Sequence, residues 1–170
     1  MQGKTIIIMG VSGSGKSTIG QALADVRGYR FMDGDDLHPP ANIKKMHAGI
    51  PLADEDRWGW LHNIASRASE LNAHNITAVI ACSALKESYR NVLRQGINDL
   101  LFFYLKGSFE QIHKFLESRS MHFMPIDLLK SQFDSLQEPA ADERDCITIP
   151  VTSPEQELKE MQRSLDLSGF

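Results

Sequence analysis

Cysteine is scarce: Cys82 and Cys146 are the two in 170 residues, and they have no C-x-x-C spacing. That excludes a disulfide-stapled scaffold and points to a reducing, cytoplasmic setting. Long apolar runs are also missing. The longest, such as Ile6-Ile7-Ile8-Met9, are strand-sized and far short of a membrane span. Lys4 is followed by only a short apolar run and then glycines, which is not the pattern of a signal peptide. There is no surplus of positive charge, since 18 Lys and Arg face 22 Asp and Glu for a net charge of -4. The chain therefore carries no electrostatic footprint for nucleic acid. None of the six histidines has partners at zinc-ligand spacing, so no structural metal is expected. What is present is ordinary: 42% apolar and 24% charged residues, close to the averages for soluble globular proteins. This length forms one domain, 1–170, without repeats or linkers.

Apolar runs alternate with helical periodicity along the chain. Lys4–Met9, Tyr29–Met32, Ile76–Ala81, Leu100–Leu105 and Cys146–Val151 read as strands, most of them apolar throughout, as buried parallel strands are. Helices are expected over Lys16–Arg27, along the face carrying Trp58, Leu61, Ile64, Ala68 and Leu71, and over Lys86–Arg94. Leu37–Asp56, with three prolines and Gly49, reads as short helices and loops. Ser108 with Gln111 has capping-box spacing, and Ser153-Pro154-Glu155-Gln156 repeats that signal with proline at the first helical position. The alternation predicts a doubly wound α/β domain on a five-stranded parallel sheet.

Gly10-Val11-Ser12-Gly13-Ser14-Gly15-Lys16-Ser17, followed by Thr18, satisfies G-x-x-x-x-G-K-[ST] without a mismatch. Glycines let successive N–H groups turn inward around a phosphate, and the helix that follows aims its positive end at the same anion. Lys16 supplies a mobile charge for the β- and γ-phosphates of ATP, and Ser17 an oxygen for Mg²⁺. Three uses of a bound nucleotide compete. A GTP switch requires N-K-x-D, which does not occur in the chain. A mechanical ATPase usually ends a strand in a Mg²⁺-holding Asp, and the candidate Val79-Ile80-Ala81-Cys82-Ser83 has none. A small-molecule kinase needs an acceptor pocket, a carboxylate to take the acceptor's proton, and a lid, and the length suits it. Asp33-Gly34-Asp35-Asp36, at the end of the second strand, could supply the carboxylate. Arg57, Lys86, Arg90 and Arg119 are the candidate cations. Trp58 and Trp60 read chiefly as core, and Cys82 as a buried strand-end thiol without a neighbouring base.

A longer pattern surrounds these residues. Met32-Asp33-Gly34-Asp35-Asp36-Leu37-His38-Pro39, Asn42-Ile43-Lys44-Lys45-Met46 and Gly49-Ile50-Pro51-Leu52 resemble the signature of the gluconokinase family. Asp54, Asp56, Arg57 and Trp60, then Cys82-Ser83-Ala84-Leu85-Lys86 with Tyr89-Arg90, continue the likeness. His122-Phe123-Met124-Pro125, Ser131-Gln132-Phe133, Pro139, Asp142 and Glu143 extend it to about Asp145. The resemblance implies a fold like that of nucleoside monophosphate and shikimate kinases, and phosphorylation of D-gluconate at its 6-hydroxyl by ATP. It implies a homodimer, with Asp35 as the hydroxyl-orienting base and Asp33 beside Ser17 at Mg²⁺. His38, Arg57, Lys86, Arg90 and His122 would stand on the substrate side, with Lys16 and Arg119 acting in transfer. A helical lid is expected over about 119–133. The family also has variable points, and here Phe115, Met121 and Gly59 depart from its usual arginine, glycine and proline. Other small-metabolite kinases, or a nucleotide-binding module without turnover, are the alternatives.

Overall fold

The computed structural model describes residues 2–119 and 125–170. Five parallel strands stand in the order β2-β3-β1-β4-β5: β1 Thr5–Met9, β2 Arg30–Asp33, β3 Ala78–Ala81, β4 Leu100–Lys106 and β5 Cys146–Pro150. Helices α1 Lys16–Arg27, α2 Pro40–His47, α3 Asp54–Ala73, α4 Glu87–Gly96, α5 Phe109–Ser118, α6 Ile126–Ser135 and α7 Pro154–Ser168 connect and cover them. The expected doubly wound architecture is therefore the observed one.

Strand β1 is central and wholly buried, and its alternating side chains feed two cores. Ile6 and Ile8, with Phe103 from β4, meet Leu23 of α1 and Met161 and Leu165 of α7. Ile7 and Met9, with Phe102 and Tyr104, meet Trp60, Leu61 and Ile64 of α3 and Leu93 of α4. A sheet buried on both faces has no polar side, which is why these strands lack the alternation of half-exposed ones.

Helix boundaries follow local chemistry. Helix α1 ends where Gly28 takes φ +68° and returns its N–H to the Ala24 carbonyl. The Ser108 and Ser153 hydroxyls accept from the N–H groups of Gln111 and Gln156. The capping box at Ser108 is only half made, because Gln111 spends its amide on the Val151 carbonyl at 2.9 Å. Most boundaries shift by a residue or two from the sequence expectation, and two of the shifts have a visible local cause. Helix α3 begins at Asp54, four residues before Trp58, because the Asp56 carboxylate turns back to accept from Ala53 N–H at 2.9 Å. Strand β3 begins at Ala78, because Asn75 at φ +62° and the Ile76 N–H to Leu71 carbonyl bond belong to the turn that closes α3.

Arg90 departs furthest from its expected role. It is fully buried, and all five guanidinium N–H groups are committed within the protein. Nε and Nη2 grip Glu143 at 2.7 and 2.9 Å, Nη1 reaches the Ala84 and Leu85 carbonyls, and Nη2 also reaches the Gln137 carbonyl. The placement of Arg90 on the substrate side is corrected: no donor remains for a ligand, and the residue ties the loop after β3 to the segment before β5. Arg90, Arg94 and the Ala140 N–H hold the Glu143 carboxyl down to about 2. Arg90→Met should cost about 3–5 kcal/mol, read from urea unfolding, because it breaks a buried pair, leaving Glu143 to Arg94 alone and the Ala84, Leu85 and Gln137 carbonyls without this donor. In the wild type this contribution should be complete above pH ~4.5 and fall away as pH drops toward 2.

Candidate active site

The loop between β1 and α1 lies at the carboxyl end of the sheet, where parallel α/β folds place their ligand crevice. Gly13, at φ +83°, takes a conformation that side chains rarely adopt, and Gly15 follows at φ +96°. Ser14 Oγ and Lys16 Nζ both bond the Val11 carbonyl, at 2.7 and 2.9 Å. Burial lowers the Lys16 pKa, against the raising influence of Asp35, Cys82 and Asp33. From α6, the Gln132 side chain accepts from Ser12 N–H at 2.6 Å and donates to Ser12 Oγ at 2.8 Å, clasping the loop across 120 residues.

Beside this loop, β2 ends at Asp33, paired with Ala81 at the end of β3. The backbone then enters one turn of 3₁₀ helix, Gly34–Leu37. Gly34 is required there, since a Cβ would stand 2.5 Å from the Ala81 carbonyl oxygen. Asp33 accepts from Asp35 N–H at 3.0 Å with one oxygen and from Ser17 Oγ at 3.1 Å with the other. Two hard oxygen donors thus sit together at the phosphate loop, a set that suits Mg²⁺ carrying phosphate and water ligands. Asp35 lines the cleft, with its side chain 81% exposed. The surrounding walls and then the Asp33 charge nevertheless push its carboxyl up from the ordinary value, against the pull of Lys16.

One cleft of about 710 Å³ joins these groups, lined by Lys16, Ser17, Thr18, Asp33, Asp35, His38, Arg57 and Arg119 among others. Its far wall comes from Met46, Ile50 and Leu52, and Leu128 and Gln132 of α6 close another side. Arg57 reaches in from the first turn of α3. Its Nη2 donates to the Leu52 carbonyl at 3.3 Å, while its buried Nε has no partner among the described residues. A buried guanidinium donor left unpaired is costly unless a ligand takes it up. Behind Arg57, Asp54 accepts from the Tyr89 hydroxyl and from Lys86 Nζ, which together lower its pKa. The Tyr89 ring in turn lies 5.5 Å beneath the Arg57 guanidinium.

A smaller pocket of about 110 Å³ abuts the other side of the loop. It shares Gly15, Thr18 and Arg119 with the cleft, and its other lining residues include Phe115, Val151, Pro154 and Glu157.

The expected site residues divide accordingly. Lys16, Ser17, Thr18, Asp33, Asp35, His38, Arg57 and Arg119 are brought to one cleft. Lys86 does not line it, because its charge is spent on Asp54 at 3.0 Å. His122 and Met121 lie outside the described residues. Trp60 is buried as expected but also forms part of the cleft, and Trp58 packs edge-on against Tyr89. Cys82 is buried, and that burial pushes its thiol up to about 12. Sequence reasoning passed over Asn42, Asp54 and Gln132. All three had been visible only as members of a longer pattern, with nothing local to assign them a partner.

The comparisons with known proteins agree with this geometry. A shikimate kinase family model matches residues 12–148. The chain is 48% identical over 151 residues to the thermosensitive gluconokinase of Escherichia coli (strain K12), covering 89% of this chain and 81% of that one. It is 44% identical over 160 residues to a probable gluconokinase of Schizosaccharomyces pombe, covering 91% and 83%. Among solved structures, a gluconokinase from Sinorhizobium meliloti 1021 superposes with a TM-score of 0.82 at 39% identity, covering 98% of each chain. With this agreement across most of its length, and with the phosphate loop, strand-end carboxylates and cleft cations in place, the chain belongs to the gluconokinase family of P-loop kinases.

Proposed function

We propose that this protein transfers the γ-phosphoryl group of ATP to the 6-hydroxyl of D-gluconate, giving 6-phospho-D-gluconate and ADP. The observation that carries the reading is the meeting, in one cleft, of a complete phosphate loop, the Asp35 carboxylate and the underpaired Arg57 guanidinium. The triphosphate would lie along Gly10–Thr18, with Lys16 neutralising charge on the transferring oxygens. The nucleoside would extend into the smaller pocket beside Phe115 and Pro154, which leaves the larger volume to the acceptor. Mg²⁺ bound with the nucleotide would be held by Ser17 and Asp33, and would offset charge on the β- and γ-oxygens. Asp35 accepts the proton of the attacking hydroxyl, and Arg57 holds the sugar-acid carboxylate. Arg119 borders both pockets, so its charge would serve the phosphates lying between them.

A coupled ADP-release assay over a panel of sugar acids tests this directly. Turnover with gluconate supports it, whereas turnover with only a different acceptor, or ATP binding without turnover, would overturn it. Net charge of -4 disfavours two anionic ligands at long range, so contact cations must dominate within the ~8 Å Debye length. Arginine grips a carboxylate with two parallel bonds, and lysine cannot. Arg57→Lys should therefore raise KM for gluconate about tenfold while leaving KM for ATP nearly unchanged. The reverse split in initial-rate kinetics would place the two anions on opposite sides from those assigned.

A further inference from the structure

We propose that Asn42 is a positioning residue that fixes His38 in the Nε2–H tautomer, making the imidazole a neutral donor to the acceptor hydroxyl that Asp35 deprotonates. This deepens the kinase reading and rests on it for the identity of the hydroxyl.

The Asp56 carbonyl oxygen can only accept, and Asn42 Nδ2 lies 2.7 Å from it. That contact settles which end of the Asn42 amide is nitrogen. The same nitrogen lies 3.2 Å from His38 Nδ1, so its two hydrogens serve the carbonyl and the ring. Nδ1 must then offer a lone pair, and the proton of a neutral ring stands on Nε2. Asn42 is 3% exposed and His38 8%, so water does not compete freely for these bonds. The anchor is itself held, because the Asp56 side chain bonds Lys45 at 2.8 Å and Ala53 N–H at 2.9 Å.

Turning the ring over would set a C–H against Asn42 Nδ2 and forfeit that bond. The ring stacks on Trp60 with centroids 4.2 Å apart and planes 14° from parallel, and Trp60 Nε1 is tied to the Gly34 carbonyl at 2.7 Å. An imidazolium would set a second N–H against Asn42. Burial, and then the charge of Arg57, separately hold the His38 pKa down to about 4.

Nε2 faces Asp35 Oδ1 across 3.9 Å, too far for a direct hydrogen bond. An oxygen between them would have to accept from Nε2–H and donate to the carboxylate. A hydroxyl does both, whereas a carbonyl cannot donate and an ammonium cannot accept. The pair therefore selects an alcohol acceptor. It also turns the oxygen so that its proton points at Asp35, and because the donor is neutral, the Asp35 charge is not spent on an imidazolium.

Long-range ¹H–¹⁵N spectra of the full-length histidine-labelled protein test the tautomer at neutral pH, with His38 assigned by its loss in His38→Gln. A protonated Nε2 and a bare Nδ1 are expected; the opposite tautomer, or an imidazolium, would overturn the proposal whether or not gluconate is the substrate. Asn42→Asp replaces the donor with an acceptor at nearly constant volume. It should move the His38 proton to Nδ1 and raise KM for gluconate about tenfold, with KM for ATP within about twofold. A folded Asn42→Asp protein with the wild-type His38 spectrum and gluconate KM would also overturn it. If that variant does not fold, the wild-type spectrum decides alone.

Discussion

Lys16→Ala is expected to reduce kcat/KM for gluconate phosphorylation by a factor on the order of 10²–10³, the loss typical of deleting one preorganised charge donor. The structural basis is the position of Nζ, drawn into the phosphate loop at 2.9 Å from the Val11 carbonyl. Burial there lowers the Lys16 pKa, while Asp35 and Asp33 favour its charged form. Such a charge is poorly screened, so its effect on the developing charge of the transferred group is larger than that of a surface lysine. Stability should change little. Lys16 is the first residue of α1, where alanine is an excellent helix former, and its side chain is part of neither hydrophobic core. Initial-rate kinetics and thermal melts on the same preparation separate the two effects. A loss below about tenfold, roughly 1.4 kcal/mol of transition-state stabilisation, would remove Lys16 from the transfer step.

The parts of this molecule that were legible in its sequence are those whose physics is local. The phosphate loop, the buried β1 and both ends of α1 follow from glycines, a β-branched run and a C-terminal Gly28 within a 24-residue stretch, 5–28. The Ser108 and Ser153 caps were equally readable, since each hydroxyl serves an N–H three residues on. Arg57 and Arg90 show where such reading stops. Both follow loop signals and both are arginines. Arg57 keeps an Nε beside the cleft that is unpaired among the described residues, whereas Arg90 is consumed by Glu143, 53 residues later. No local pattern distinguishes them, because the partner is chosen by tertiary packing. Asn42 bonding Asp56, Lys86 bonding Asp54 and Gln132 bonding Ser12 are the same case, with separations of 14, 32 and 120 residues. These positions belong to the pattern shared with gluconokinases, but only the fold divides those that line the cleft from those that support it.

Asp35→Asn should nearly abolish turnover, by a factor on the order of 10²–10⁴ as for loss of a general base, while KM for ATP changes little. Asparagine preserves size and can still orient a hydroxyl, but it cannot accept the proton. Because the cleft walls and Asp33 push the Asp35 carboxyl up, the acid limb of the wild-type kcat/KM profile should lie above the 3.8 of an ordinary aspartate, and this limb should be missing from the residual activity of the variant. The same shift carries a stability consequence of opposite sign. A carboxyl whose pKa is raised on folding binds its proton more tightly in the native state, so stability declines as pH rises from the unfolded value through the folded one. Because the side chain is 81% exposed, water screens most of that penalty, so Asp35→Asn should melt at or only slightly above the wild-type temperature at neutral pH, with no gain below pH ~3.8. Lost turnover without lost stability is what a base held beside a second carboxylate for chemistry requires. Asp33→Asn should behave differently, weakening the dependence on Mg²⁺ and loosening the Ser17 contact at 3.1 Å. If Asp33→Asn instead proves the more damaging to kcat with the Mg²⁺ dependence intact, the roles of the two carboxylates are exchanged.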